Sequence, residues 1–334
     1  MARTTRTTWA PAATVLLAAI AAAACGKATI TADEACSDLA TVGCMKQATC
    51  TNGFGTGRVY GDMTTCLARQ KESCLNALAA PAQGNSPALV EKCVADYATY
   101  SCSDFGDNNP PADCAPVGAR ALDGACTFNG QCASGFCAKT KDTVCGTCAP
   151  APAAGDSCAA SNCGHDEICV TDTSGSLCQI RGTLNSTCSN ANPCGTGLSC
   201  VGSTATASGT CQNALTTVGA ACGGTMPGCD NNIGLHCDGP AGTGKTCMTT
   251  ALVGDGMPCG TMGDGSFVQC QQGDCYTATG LITGGQQGTC KADASDGAAC
   301  DTNLGPGCTP PARCITTSGT TAGTCTIPLG STCG

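Results

Sequence analysis

Residues Gly239 to Thr246 read G-P-A-G-T-G-K-T, a full match to the G-x4-G-K-T pattern that cradles nucleotide phosphates. In such a site Lys245 would reach the phosphates and Thr246 would hold the magnesium ion, with Gly239 and Gly244 letting the backbone come close. The chemistry also needs a buried strand before the loop and a helix after it, so that backbone N–H groups and the helix dipole meet the anion. Here Cys237 and Cys247 bracket the loop, and Met248-Thr249-Thr250 and Gly254 follow it with no amphipathic pattern. The match is therefore expected to be a hairpin turn, and no nucleotide or other cofactor is predicted. Cys145-Gly146-Thr147-Cys148 has the spacing of a redox dithiol but lacks the strand–helix setting that acidifies the first thiol, so a structural role is expected.

Metal and hydrolytic chemistry find little support. The chain holds two histidines, His165 and His236, each expected to be a lone exposed side chain, and no paired C-x2-C knuckles for zinc. Asp104-Phe105-Gly106-Asp107-Asn108-Asn109 is acidic but lacks the spacing and closing Glu of a calcium loop, which leaves a turn of solvated acids. No G-x-S-x-G occurs. Asn185-Ser186-Thr187 fits a glycosylation sequon. The expectation is a protein with no catalytic, cofactor-binding or metal-binding residues.

What dominates the chain is cysteine, 35 of 334 residues, with only 3% aromatic and 12% charged residues. Such a composition cannot build a large aliphatic core and calls for a disulfide framework in an oxidising compartment. Arg3 and Arg6 precede a short apolar run from Ala12 to Ala24 that is too brief to span a bilayer. Residues 1–24 therefore read as a signal peptide. The run ends Ala22-Ala23-Ala24-Cys25-Gly26, which resembles the lipobox of bacterial lipoproteins, with Ala22 where leucine is usual. That resemblance implies lipidation of Cys25 and an outer-membrane or cell-surface location; plain cleavage into a secreted form is the alternative. Cysteine parity agrees with lipidation, because 34 cysteines remain once Cys25 is set aside, so all can pair. Without Arg3 and Arg6, 13 basic residues face 24 acidic ones, a net −11 that argues against nucleic acid and anionic lipid as partners.

The elements that position these residues fall into two architectures. After a tether over 25–30, residues 31–116 carry helical spacing. Thr31 and Glu34 form a capping-box pattern, Asp62 and Ser86-Pro87 are further start signals, and the apolar stripes contain cysteines. Cys36, Cys44, Cys50, Cys66, Cys74, Cys93, Cys102 and Cys114 predict a three-helix domain stapled by four bridges.

From 117 to 334 a repeat takes over, opened each time by a Gly or Asn two or three residues before a cysteine: Gly124, Gly155, Asn185, Gly219, Gly256 and Gly297. Asn185 in place of Gly predicts a left-handed turn there. The six units hold Cys126, Cys132, Cys137, Cys145 and Cys148; Cys158, Cys163, Cys169 and Cys178; Cys188, Cys194, Cys200 and Cys211; Cys222, Cys229, Cys237 and Cys247; Cys259, Cys270, Cys275 and Cys290; and Cys300, Cys308, Cys314 and Cys325. A truncated seventh start carries Cys333. β-branched residues around Gly-Ser-Thr turns predict a short hairpin per unit. Bridging of first to third and second to fourth cysteine is favoured among the three possible pairings. Cys145 and Cys333 are surplus, with partners left open.

The spacing of Asp123-Gly124-Ala125-Cys126 and Gln131-Cys132-Ala133-Ser134-Gly135-Phe136-Cys137 resembles Dickkopf-type and EB-type extracellular modules, and the whole chain resembles cysteine-rich surface lipoproteins of myxobacterial type. The implied protein is non-enzymatic: a small disulfide-rich fold in which a rod of modules projects from a membrane-proximal helical domain. Adhesion, ligand capture or envelope structure would be its work, with a surface protein or polysaccharide as partner. A protease inhibitor is the alternative, weakened by only six basic residues in 121–334.

Overall fold

The computed structural model describes residues 29–140, 143–158, 163–164, 167–172, 175–204, 206–239, 244–282, 285–317 and 319–333. The predicted signal peptide, Cys25, His165 and the middle of the phosphate-loop pattern lie outside them. The protein is small, disulfide-rich and bipartite, with helices first and small β sheets after them.

Among the described residues, five α-helices form the amino-terminal part: α1 (Ala32–Cys50), α2 (Phe54–Tyr60), α3 (Met63–Leu78), α4 (Pro87–Asp96) and α5 (Cys102–Gly106). The capping box closes on α1, where Thr31 Oγ1 accepts from the Glu34 N–H at 3.2 Å and Glu34 accepts from the Thr31 N–H at 2.9 Å. Asp62 and Ser86 cap α3 and α4 as expected. The short α2 lies between Gly53 and Gly61, both at positive φ, without a side-chain cap, which is why no start signal marked it. Bridges Cys36–Cys74 and Cys44–Cys66 staple α1 to α3, and Cys50–Cys102 ties α1 to α5. The fourth bridge, Cys93–Cys114, holds α4 to the turn that follows α5, not to another long helix. The expected three-helix stapling is thus realised only between α1 and α3; α4 packs on α1 without a bridge to it, and its Val90 is buried.

Each of the six units is built alike. The first-to-third and second-to-fourth pairing occurs in every one, from Cys126–Cys137 with Cys132–Cys148 to Cys300–Cys314 with Cys308–Cys325. The third and fourth cysteines face each other across the hairpin, as in Cys200↔Cys211 and Cys314↔Cys325, and reach outward for their own partners. Two bridges packed together are the core: Cys126, Cys132, Cys137 and Cys148 are all buried. A chain with so few large side chains has little else to bury.

The left-handed residue sits three positions before the opening cysteine in all units: Asp123, Gly155, Asn185, Gly219, Gly256 and Gly297, with φ from 65° to 92°. In the first unit it is Asp123, and not the Gly124 expected from sequence. A backbone bond from the residue after each to the one two positions before it, for example Ser186 N–H to Thr183 C=O at 3.0 Å, closes a β-turn that needs positive φ at its third residue. The N–H of the left-handed residue then donates to the carbonyl of the closing cysteine at 2.8–2.9 Å, in Asp123 to Cys148 as in Gly256 to Cys290. This clasp lays the opening strand beside the closing one, so Thr147, Thr210, Thr289 and Thr324 occupy the central strand of their sheets. In the fifth unit extra strands Ala251–Val253, Phe267–Cys270 and Gly280–Leu281 enlarge the sheet to six strands.

The units do not project as a rod. They curve around the helical part and close on themselves. Asp107, after α5, accepts from the Thr196 N–H at 2.8 Å and pairs with Arg181 at 3.3 Å. Phe54 of α2 lies against Gly234, Gly57 against Leu252, and Gly61 against Gln272. Arg69 of α3 grips the sixth unit, with two nitrogens on Asp296 at 2.5 and 2.7 Å and further bonds to the carbonyls of Thr309 and Pro310. Ala80 packs on Gly330, and the first unit docks on the loop after α3 through Gln131 to the Pro81 carbonyl at 2.9 Å. The surplus cysteines find each other: Cys145–Cys333 joins the first unit to the tail across 188 residues, and Arg313 of the sixth unit reaches the Thr140 and Thr143 carbonyls of the first. A rod was what the resemblance implied. It fails because side chains and backbone of the units find partners on the helices, as in Arg69 with Asp296 and Asp107 with Arg181 and the Thr196 N–H.

Candidate functional site

The phosphate-loop pattern lies on a β-hairpin. Leu235–Asp238 pairs antiparallel with Thr246–Thr249, so the loop joins two strands and not a strand to a helix. Thr246 stands opposite Asp238, Cys247 is bridged to Cys229, and Gly244 and Lys245 are exposed. Among the described residues the strand–helix setting that aims backbone N–H groups at a phosphate is absent around this pattern.

Cys145 and Cys148 are both bridged, but to Cys333 and Cys132, so the C-x-x-C spacing is not a redox pair. Cysteine triplets with sulfurs within 4.8 Å recur, among them Cys126, Cys132 and Cys137. They are the stacked bridges of each core, and a bridged sulfur has no thiolate to give a metal. All 34 cysteines among the described residues lie in the seventeen bridges. The acidic turn is a docking element. Asp104 caps α5 with Ser101, and Asp107 carries the contact to the third unit, so neither is the solvated acid expected. His236 is half-buried, not exposed: Nδ1 lies 3.0 Å from Thr250 Oγ1 and the ring leans on Phe267, and burial pushes the imidazole below its ordinary pKa. Asn185 of the sequon is the left-handed residue of its turn, and exposed.

Two surface depressions among the described residues are of a size to hold a ligand. One, of about 780 Å³, opens on the third unit between Ser189, Asn190, Pro193, Leu198, Ser203 and Thr204. It is neutral and hydroxyl-lined. The other, about 190 Å³, lies on the fifth unit, walled by Phe267, Val268, Leu281 and Ile282, with Arg58 of α2 and Asp274 at its rim. Sequence reasoning passed over Arg58, Arg69, Asp274 and Asp296. One signal was available for the last of these. The second residue of the repeated turn is an exposed aliphatic in the first, third and fourth units (Leu122, Leu184 and Val218) but Asp255 and Asp296 in the fifth and sixth. An acid at that corner marks the units that use it internally: Asp255 accepts from the Ala292 N–H at 2.8 Å and Asp296 holds Arg69.

The junction between the fifth and sixth units holds the most perturbed carboxyl. Burial, with Asp274 nearby, pushes Asp293 up to about 6. Tyr276, packed on Gly305, is raised to about 12 by burial and by the neighbouring acids. Because the folded carboxyl holds its proton more tightly than the unfolded one, its stabilising contribution is complete below about pH 4 and is lost as pH rises through about 6. Asp293→Asn should therefore raise the unfolding temperature at pH 7 and leave it nearly unchanged at pH 4. The gain is on the order of 1 kcal/mol once solvent screening is allowed for. Thermal melts at both pH values check this; an equal shift at both would show that the carboxyl's charge is not the cause.

No protein family, characterised protein or solved structure matches this chain.

Proposed function

We propose that the protein is a non-enzymatic, surface-anchored lipoprotein, held to the membrane through lipidated Cys25, that acts in ligand capture, adhesion or envelope structure. The carrying observation is the complete internal pairing of Cys36 to Cys333, which leaves Cys25 as the one cysteine without an assigned role in the fold. Seventeen bridges demand an oxidising compartment. Among the described residues no helix is long and apolar enough to cross a membrane; in this reading the attachment is acyl chains on Cys25, which anchor stably when there is more than one. A ring of cross-linked units is suited to presenting binding surfaces outside the cell, because rigid surfaces bind without an ordering cost.

An inhibitor of trypsin-like enzymes would need an exposed Arg or Lys on each unit loop. Lys139 is half-buried over the Phe128 ring and bonds the Thr127 carbonyl, Arg181 pairs with Asp107, Lys291 bonds the Leu304 carbonyl, and Arg313 spans to the first unit. Among the described residues of the units Lys245 alone stands exposed on a hairpin tip, which favours the binding reading.

Feeding cells a clickable fatty-acid analogue tests the anchor. Wild-type protein should be labelled and membrane-bound, and Cys25→Ser unlabelled and released. Unlabelled wild-type protein in the medium would refute anchoring. A pull-down with the oxidised chain against envelope material and proteases separates capture from inhibition.

A further inference from the structure

The fifth unit departs from its siblings, and in repeat proteins an insertion confined to one unit commonly lies on a binding face. Its added strands, Phe267–Cys270 and Gly280–Leu281, make the 190 Å³ groove. The walls are largely apolar, with Phe267, Val268, Leu281 and Ile282, and Gln269 is the polar residue among them, its Oε1 buried without a hydrogen-bond partner among the described residues. At about 30 Å³ per water, the groove has the volume of roughly six waters, room for a branched aliphatic or a single aromatic side chain.

The rim carries two opposite charges. Arg58 Nη2 and Asp274 Oδ1 stand 3.9 Å apart, with about half of each side chain exposed. Charge-assisted hydrogen bonds between such groups close to roughly 2.7–2.9 Å. At 3.9 Å each charge faces the other while its hydrogen-bonding capacity stays open. Nearby charges do not quench them. Lys291, opposite Asp274 across the strand pair, turns to the Leu304 carbonyl at 2.5 Å and lies over the Tyr276 ring. Asp293 points to the junction with the sixth unit, beside Gly307.

Both rim and walls are held in place. The bridge Cys270–Cys290 pins the Phe267–Cys270 strand, and Cys259–Cys275 pins the neighbouring strand Gly273–Thr277 that carries Asp274. Arg58 is fixed by the seating of α2 on the fifth unit: Gln271 donates to the Gly61 carbonyl at 2.9 Å, and the Gln272 N–H to the Gly57 carbonyl at 3.3 Å.

We propose that this groove binds a free apolar L-α-amino acid of leucine size. Its carboxylate lies on Arg58, its ammonium on Asp274 and its side chain in the groove. A zwitterion matches a cation and an anion placed side by side, and an apolar pocket next to them selects the side chain. Three fixed points of attachment distinguish the enantiomers. The assignment rests on the ligand-capture reading and names its ligand.

Isothermal titration and saturation-transfer NMR of the full oxidised chain with L-leucine test it, with L-alanine, D-leucine, N-acetyl-L-leucine and L-leucinamide as the other arms. Saturable binding of L-leucine is expected, weakened about tenfold or more by loss of either charge or of the side chain. Arg58→Gln and Asp274→Asn, both half-exposed and expected to melt like the wild type, should weaken leucine to the same degree. Absence of saturable leucine binding up to about 10 mM overturns the proposal, as do equal affinities for leucine, its acetyl derivative and its amide. If leucine fails while an envelope partner is still retained by the pull-down, this site falls and capture stands.

Discussion

Replacing Cys145 and Cys333 together by serine should cost more stability than any other change that leaves every remaining thiol paired. The bridge spans 188 residues, and the chain-entropy account of cross-links assigns a loop of that length about 5 kcal/mol. The bridges inside units two to six already shorten the free contour, so a loss of roughly 3–5 kcal/mol is expected. That is a large share of the 5–15 kcal/mol typical of a folded domain. Mutating both partners avoids a stray thiol and isolates ring closure. Part of the junction survives the change: Thr127 Oγ1 still donates to the Leu329 carbonyl at 3.3 Å, and Gly330 still packs on Ala80. Calorimetry of the double variant should show a lower midpoint and a broadened transition, because an open array of units that touch only their neighbours loses cooperativity. Limited proteolysis should cut first near the sixth unit. An unchanged midpoint would mean that the docking of Arg69 and its neighbours holds the ring without the bridge.

A second large effect is expected inside the fourth unit, from two residues that are nearly adjacent in sequence. Cys247→Ser removes the Cys229–Cys247 bridge, a loop of 18 residues worth about 3 kcal/mol. Cys247 is fully buried in a core of Cys222, Cys229 and Leu235, so the serine hydroxyl enters without a partner at a further cost of about 1–3 kcal/mol. Lys245→Ala, on the exposed hairpin tip, should shift stability by less than about 0.5 kcal/mol. Thermal unfolding of the full chain with each substitution, with and without ATP and Mg²⁺, separates the two. A nucleotide-dependent rise in melting temperature that Lys245→Ala abolishes would restore the phosphate-loop interpretation. Equal effects of the two substitutions would mean that the unit does not depend on its stacked bridges.

Much of the local structure was legible from the residues. Parity of the 34 cysteines demanded complete pairing, and the first-to-third, second-to-fourth pattern holds in every unit. Asn185, standing where four of the other five units have Gly, announced a left-handed residue, and φ is 67° there. Thr31, Asp62 and Ser86 marked three helix starts that the structure keeps. These features are short-range. The sign of φ, a cap or a hairpin depends on sterics and hydrogen bonds within a few residues, so a local pattern can specify it.

Everything that decides the shape of the whole lies at long range. Parity says that Cys145 and Cys333 have partners but not that they share one, because their meeting depends on how six units curve. Arg69 and Asp296 are 227 residues apart, and nothing in the neighbourhood of either names the other. Asp107 reads as a solvated acid until Arg181 and Thr196 are brought to it. The groove between Phe267, Leu281 and Arg58 exists only because α2 seats on the fifth unit. A ring and a rod bury the same bridges within each unit, so composition, spacing and periodicity are alike in both. They differ in charge pairs and backbone contacts between surfaces, which the chain specifies only once it is folded.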